Sequence, residues 1–140
     1  MRKIIISLLF VCFVFAKGHI FSDFNKGLTF AKNSNKPIAL FLISSTCPHC
    51  HSLLKKIQQN KAFIQYVGNN FAWIVIDVSR QKTPVAFDGS VPTIMILDSN
   101  RNIIASPIKG DIPLDNLYEY LKESRILFYN SQTTIYTNIR

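Results

Sequence analysis

The sequence predicts a mixed α/β domain in which helices alternate with buried strands. Apolar runs without polar alternation predict strands buried on both faces of a sheet, and they occupy residues 38–43, 71–78 and 93–97. Between and after these runs, apolar residues recur every three or four positions, which is typical of one face of a helix. A chain of 140 residues with 48% hydrophobic and 17% charged residues fits one globular domain with its own core.

The first sixteen residues have the composition of a secretory signal peptide. Arg2 and Lys3 form a positive head, and thirteen uncharged residues follow them, a run too short to span a bilayer comfortably. Val14 and Ala16 are the small residues expected before a cleavage site, so we expect cleavage after Ala16 and export, periplasmic or otherwise. An uncleaved N-terminal anchor is the alternative.

This interpretation divides the chain into a signal peptide, a domain and an extension, which are residues 1–16, 17–125 and 126–140. Loss of the signal peptide would lower the formal net charge from +8 to +6, because it removes Arg2 and Lys3. The remaining basic residues are dispersed, with no run and no regular interleaving with aromatic residues, which disfavours a nucleic-acid partner.

The first half of the domain predicts a helix, a strand and a second helix. Ser22 is a good N-cap for a helix that ends near the polar residues 33–37. Residues 38–43 (IALFLI) then form the first buried strand. From Cys47 onward the pattern is helical, with Leu53, Leu54 and Ile57 on one side and Lys55, Lys56 and Gln58 on the solvated other side.

The second half continues the alternation. In order, we predict a helix over 61–67, a strand over 71–78, a polar connection over 79–90, a strand over 93–97 that forms a hairpin with 103–108, and a helix from Pro113 through Ser124. Residues 126–140 could extend the last helix, add an edge strand or lie over the surface.

Cys47 and Cys50, in the segment C-P-H-C, are the main functional signal. Cys12 would leave with the signal peptide, so the mature chain keeps one pair. A bridge across so small a loop restrains the unfolded chain too little to serve mainly stability, and we expect it to serve chemistry. At a helix N-terminus, unpaired N–H groups and the positive end of the dipole favour the thiolate, and protonated His49 would add to this effect.

The order of these parts resembles the thioredoxin fold over residues 22–124: a buried strand ending in C-x-x-C at a helix start, a Val-Pro-Thr segment after Gly89, a hairpin closed by Gly110 and a last helix. Pro48-His49, together with Val91 before Pro92, resembles the DsbA branch of thiol oxidants. Three features depart from these families. Thr46 stands in place of a tryptophan, Phe41 replaces a buried carboxylate, and the interval from Cys50 to Val91 is too short for the helical insert of DsbA.

The resemblance implies a protein thiol:disulfide oxidoreductase that needs no cofactor. It implies that Cys47 and Cys50 are catalytic, that Pro48 and His49 tune them, and that Val91 and a cis Pro92 bind substrate. The expected partners are protein thiols or disulfides and a redox partner that regenerates the active form. Membrane contact would come only from the signal peptide or that partner. Pro48-His49 favours an oxidant, while a reductase for one dedicated client and an isomerase stay open.

Two alternatives come from other classes of protein. Cys47, Cys50 and His51 also satisfy the C-x-x-C-H pattern of covalent haem attachment, although the motif follows a buried strand and Met95 lies inside another strand. Alternatively, the two cysteines with His49 or His51 could bind zinc or copper, although ligands this close on one helical turn fit a tetrahedron poorly.

Overall fold

The computed structural model describes residues 19–138, so the predicted signal peptide and its cleavage site lie outside the described residues. Within that range the chain forms, in order, β1 (Ile20–Phe21), α1 (Phe24–Ser34), β2 (Ile38–Ile43), α2 (Pro48–Gln58), α3 (Lys61–Asn70), β3 (Ala72–Asp77), β4 (Thr93–Leu97), β5 (Ile103–Lys109) and α4 (Leu114–Asn138).

The strands form one mixed sheet in the order β1-β3-β2-β4-β5. β2 pairs parallel with β3, and β1 pairs parallel with the other edge of β3. β4 runs antiparallel to both of its neighbours, β2 and β5. The predicted α/β architecture is therefore confirmed, and β2 and β4 have the predicted bounds.

Two apolar layers, one on each face of the sheet, form the core. β2 contributes side chains to both layers because it is buried on both sides. Ala39 and Phe41 point into the layer shared with α2, α3 and α4, while Ile38, Leu40 and Leu42 point into the layer shared with α1. Alternate side chains of a strand face opposite sides of the sheet, which explains the absence of polar residues in this run.

The N-terminal elements differ slightly from the sequence prediction. The N-cap of α1 is Asp23 and not Ser22, because the Asp23 carboxylate accepts a hydrogen bond from the Lys26 N–H at 3.1 Å. The strand β1 was not predicted. It has only two residues, too few for a recognisable pattern, and it pairs with Trp73 and Ile74 of β3.

The C-terminal residues that the sequence left open extend α4 as far as Asn138. Phe128 is buried. Tyr129 Oη donates to the backbone carbonyl of Asn35 at 3.2 Å, and Gln132 Nε2 donates to Oδ1 of the same asparagine at 2.9 Å. Asn35 is the C-cap of α1, so the extended helix packs against the end of α1. Even with this length, α4 and the other helices of residues 19–138 are not apolar enough over a sufficient length to cross a membrane.

The close approach of α1 to the sheet depends on Gly27. This residue is buried, and a Cβ built on it would overlap Cγ1 and Cδ1 of Ile74 in β3. Glycine in a helix interior costs about 1 kcal/mol relative to alanine. The close packing of helix and sheet explains its presence here.

We predict that Gly27→Ala lowers the free energy of unfolding by about 1–3 kcal/mol, because overpacking against Ile74 outweighs the gain in helix propensity. Urea unfolding followed by circular dichroism measures the change. Thr29→Ala is the matched control, since Thr29 is exposed in the same helix. Equal or greater stability of Gly27→Ala would contradict the proposed packing constraint.

Candidate active site

The two cysteines lie where the chain leaves β2 and begins α2. The Cys47 N–H donates to the Ser44 carbonyl at 3.1 Å, which closes a tight turn after the strand. Cys47 is the N-cap of α2, and its Sγ accepts a hydrogen bond from the Cys50 N–H at 3.2 Å. Pro48 occupies the first turn of the helix, where a missing N–H leaves no intrahelical bond unmade. The Cys47 sulfur thus faces the positive end of the helix dipole.

The two thiols have different surroundings. Cys47 is partly exposed and Cys50 is buried, and both are free thiols in the structure. Burial, reinforced by the interaction with the Cys47 sulfur, raises the pKa of Cys50 to about 11. At neutral pH Cys50 therefore keeps its proton, whereas Cys47 is the accessible sulfur.

The loop before β4 provides the third part of the site. The Val91–Pro92 peptide bond is cis, as the resemblance implies. The carbonyl oxygen of Val91 lies 3.7 Å from Cys47 Sγ, within reach of the thiol hydrogen. The Gly110 N–H donates to the Pro92 carbonyl at 2.9 Å and fixes the loop against the end of β5. Among residues 19–138 we find no hydrogen bond from the Val91 N–H, which is thus available to pair with another chain.

The predicted tuning residues, Pro48 and His49, are both exposed. Within the described part of the chain the His49 side chain makes no hydrogen bond, and it remains a solvent-facing group two residues from Cys47. His51 is also exposed, but its Nε2 lies 2.6 Å from the carbonyl oxygen of Ser45. The structure therefore brings together Cys47, Cys50 and Val91, and it leaves the histidines at the rim.

The sequence analysis did not predict the series of side-chain hydrogen bonds that supports the loop before Cys47. Ser45 Oγ lies 3.3 Å from Ser79 Oγ, which donates to Asp77 Oδ1 at 2.5 Å. The hydrogen bonds from Ser79 hold the pKa of Asp77 below its ordinary value, so this carboxylate stays ionised and keeps its bonds. β2 and β3 are parallel and Asp77 lies beside Ile43, so the shared strand ends are the signal that could have revealed this contact.

Beneath the site lies an aromatic layer. Phe41 is fully buried, and its ring centroid lies 5.5 Å from that of Trp73. The position where the sequence resemblance implies a buried carboxylate is thus apolar, and the proton of Cys50 has no carboxylate acceptor at this place.

Lys56 differs from its expected role as a solvated residue. Its Nζ lies 2.7 Å from Asp111 Oδ1, which ties α2 to the segment after β5. Hydrogen bonds from Lys56 and then Ser52 lower the pKa of Asp111. Lys55 is exposed as predicted. The sequence could not reveal this pair because its partners are 55 positions apart.

The alternative interpretations find no support in this arrangement. Within residues 19–138 no three His, Cys, Asp or Glu side chains converge to hold a metal ion, and this includes the cysteine motif. The Nε2 of His51, which would have to face a haem iron, is instead directed at the Ser45 carbonyl.

A comparison with known protein families finds a match over most of the described residues. The family described as "Thioredoxin-like domain" matches residues 24–125, most of the chain. No curated protein is detectably similar in sequence.

Solved structures with the same arrangement come from several sources. Spinach chloroplast thioredoxin f has a TM-score of 0.60 at 18% identity, with 79% of this chain and 89% of that one covered. The oxidised C-terminal domain of Neisseria meningitidis DsbD has a TM-score of 0.58 at 20% identity, covering 76% and 99%. The oxidoreductase DsbH has a TM-score of 0.56 at 18% identity, covering 76% and 84%. These similarities confirm the thioredoxin-like fold expected from the sequence.

We predict that iodoacetamide at neutral pH modifies Cys47 and spares Cys50 in the reduced, folded protein. Burial raises the Cys50 pKa to about 11, so its reactive thiolate forms only as the pH approaches that value. Mass spectrometry of the cysteine peptide measures the modification of each residue. Protein unfolded in urea is the control, in which both cysteines should react. Equal rates of modification of Cys47 and Cys50 in the folded protein would contradict the proposed difference between the two thiols.

Proposed function

Because this chain belongs to the thioredoxin-like domain family, we propose that it exchanges disulfides with protein substrates through Cys47 and Cys50. The observation that carries this proposal is the position of the Cys47 sulfur. This sulfur is partly exposed at the N-terminus of α2 and lies close to the backbone carbonyl of Val91. It accepts a hydrogen bond from the Cys50 N–H. An accessible sulfur, a buried partner three residues away and an open strand-pairing position are the elements that thiol exchange requires.

In the oxidising direction the reaction begins with a disulfide between Cys47 and Cys50. A client thiolate attacks Cys47 Sγ, the bond between the two cysteines breaks, and Cys50 leaves as a thiolate that takes up a proton. A second client thiolate then attacks the client sulfur of the mixed disulfide, and Cys47 leaves as a thiolate. One client dithiol becomes a disulfide while the Cys47/Cys50 pair becomes a dithiol. In the reducing direction the same steps run backward.

The helix N-terminus supports Cys47 as the leaving group. The N–H of Cys50 and the dipole of α2 stabilise negative charge on the Cys47 sulfur, which is the charge that develops when the mixed disulfide breaks. Val91 supports the substrate side of the reaction, since its unpaired N–H can receive an extended client segment beside the sulfur.

Two considerations favour the oxidising direction. Stabilising the Cys47 thiolate stabilises the dithiol, and this makes the disulfide a stronger oxidant. The Pro48-His49 dipeptide resembles that of DsbA. The apolar Phe41 leaves Cys50 without a carboxylate at this place. Because the departure of Cys50 is the reverse of its attack, this feature affects both directions alike and leaves a reductase open. A reductase for one dedicated client is the alternative within this class.

The proposed location is outside the cytosol, because residues 1–16 have the pattern of a signal peptide. In that setting the proposed partners are proteins with thiols or disulfides, and a second redox protein that returns Cys47 and Cys50 to the active state. The sulfur pair itself carries the electrons, so the proposal needs no bound cofactor.

We predict different defects for the two cysteine variants. Cys47→Ser should lower the rate of thiol exchange to that of the uncatalysed reaction, because the attacked sulfur is missing. Cys50→Ser should accumulate mixed disulfides with a client that contains a disulfide, because Cys47 attacks that disulfide, one client sulfur leaves as a thiolate, and no second cysteine resolves the product. Non-reducing gel electrophoresis and mass spectrometry measure both effects, with the double variant as the blank. Equal activity of the two single variants would contradict the assigned roles.

We predict an oxidising reduction potential for the Cys47/Cys50 couple. It should lie closer to about −120 mV, the value typical of DsbA, than to about −270 mV, the value typical of thioredoxin. The reason is the stabilisation of the reduced form by the helix N-terminus. Equilibration with glutathione buffers, followed by alkylation and mass spectrometry, measures the potential. A value near about −270 mV would overturn the oxidising direction and favour the reductase alternative.

A further inference from the structure

A groove with a volume of about 700 Å³ lies beside the cysteine site, on the side of the β3–β4 connection. The groove is lined by residues 78–83, Phe87 and Gly89. Two lining residues adjoin the site. Ser79 lies 3.3 Å from Ser45, which is two residues before Cys47, and Gly89 is two residues before Val91. The groove therefore lies next to the place where a client would be bound.

The charges of the groove have one sign. Arg80 and Lys82 are among the lining residues, and no Asp or Glu is. The Arg80 side chain is 76% exposed and makes one long contact, 3.6 Å, with Asp77. Lys82 is exposed and has no ion pair within residues 19–138. Lys82 is thus free to meet an incoming negative charge, and Arg80 is held only by its exposed contact with Asp77.

The carboxylates next to the groove are already engaged. Asp77 accepts hydrogen bonds from the N–H and hydroxyl of Ser79. Asp88 is ion-paired with Lys109 and accepts from the Ser90 N–H at 2.9 Å. Lys109 is the main cause that lowers the pKa of Asp88 to about 2, so this carboxylate stays ionised and stays paired. Neither acid cancels the charge of Lys82.

The lining also offers apolar surface to a peptide. Val78 and Phe87 are half-buried and pack against the core layer beneath α1. Gly89 in the lining is two residues from Val91, so a client strand paired with Val91 would extend from its cysteine toward the groove.

We propose that this groove binds an acidic segment that flanks the cysteine of a protein client, and that Arg80 and Lys82 select such clients. The inference rests on the proposed thiol exchange and adds a specificity to it. An anionic lipid surface would also attract these cations, but a groove that opens beside Cys47 and Val91 fits a strand-like chain better than a flat bilayer.

The test uses three synthetic peptides that each contain two cysteines flanked by Glu, Gln or Lys on both sides. The rate of thiol exchange with the full chain is measured in both redox directions at low ionic strength. We expect the Glu peptide to react about threefold to tenfold faster than the Lys peptide, with the Gln peptide between them. The difference should shrink as salt is added.

Two variants assign this preference to the groove. In Arg80→Gln/Lys82→Gln the preference should fall to about one, and in Arg80→Glu/Lys82→Glu it should reverse. Lys32→Gln/Lys61→Gln is the matched control. It removes two exposed cations, one from the last turn of α1 and one from the start of α3, neither of which lines the groove. This control should keep the wild-type preference.

Uncharged hydroxyethyl disulfide separates the two proposals. The groove variants should react with it at the wild-type rate, which also shows that their site is folded. If the wild-type protein exchanges with neither this compound nor any peptide, the proposed function fails. If it exchanges but treats the Glu and Lys peptides alike, or if the control variant loses the preference equally, only the groove proposal is overturned. Loss of binding to phosphatidylglycerol vesicles in the groove variants, with an unchanged peptide preference, would overturn it in favour of a membrane surface.

Discussion

The hydrogen bond from the Cys50 N–H to the Cys47 sulfur is the interaction on which the proposed chemistry depends. It exists because β2, buried on both faces, ends at Ile43 and α2 begins at Pro48. Cys47 thus occupies the N-cap, a position usually taken by an oxygen-bearing side chain. The same geometry that caps the helix stabilises negative charge on sulfur. The fold and the reactivity of the site therefore share one cause.

The surroundings of the pair give the two sulfurs separate roles. Burial keeps the proton on Cys50, and Phe41 with Trp73 forms an apolar layer where the sequence resemblance implies a carboxylate. Cys47 is left as the exposed sulfur beside Val91. The lack of a carboxylate beneath Cys50 should slow both the attack of Cys50 on a mixed disulfide and its departure in the reverse step, so it does not set the direction. The physical basis for proposing an oxidant is the stabilisation of negative charge on the Cys47 sulfur, which favours the dithiol.

Local patterns of apolar and polar residues in the sequence predicted most of the helices and strands. The features that they did not predict depend on contacts between segments that are distant in the sequence. The bounds of β2 and β4 follow from apolar runs with polar or proline neighbours, and the position of Cys47 follows from the change of pattern at the motif. The extension of α4 depends on Gln132 and Tyr129 meeting Asn35, which no local pattern encodes. Likewise, the Ser45–Ser79 and Lys56–Asp111 contacts join positions 34 and 55 residues apart. The site's sulfurs were predictable, but its supporting polar contacts were not.

The most direct test of the account is the rate at which the reduced single-cysteine variants react with hydroxyethyl disulfide at neutral pH. The account predicts fast reaction of Cys50→Ser, which keeps a partly exposed sulfur at the helix N-terminus beside Val91, and little reaction of Cys47→Ser, whose remaining thiol is buried. Slow reaction of Cys50→Ser, or equal rates in the two variants, would contradict the claim that the start of α2 presents one reactive sulfur.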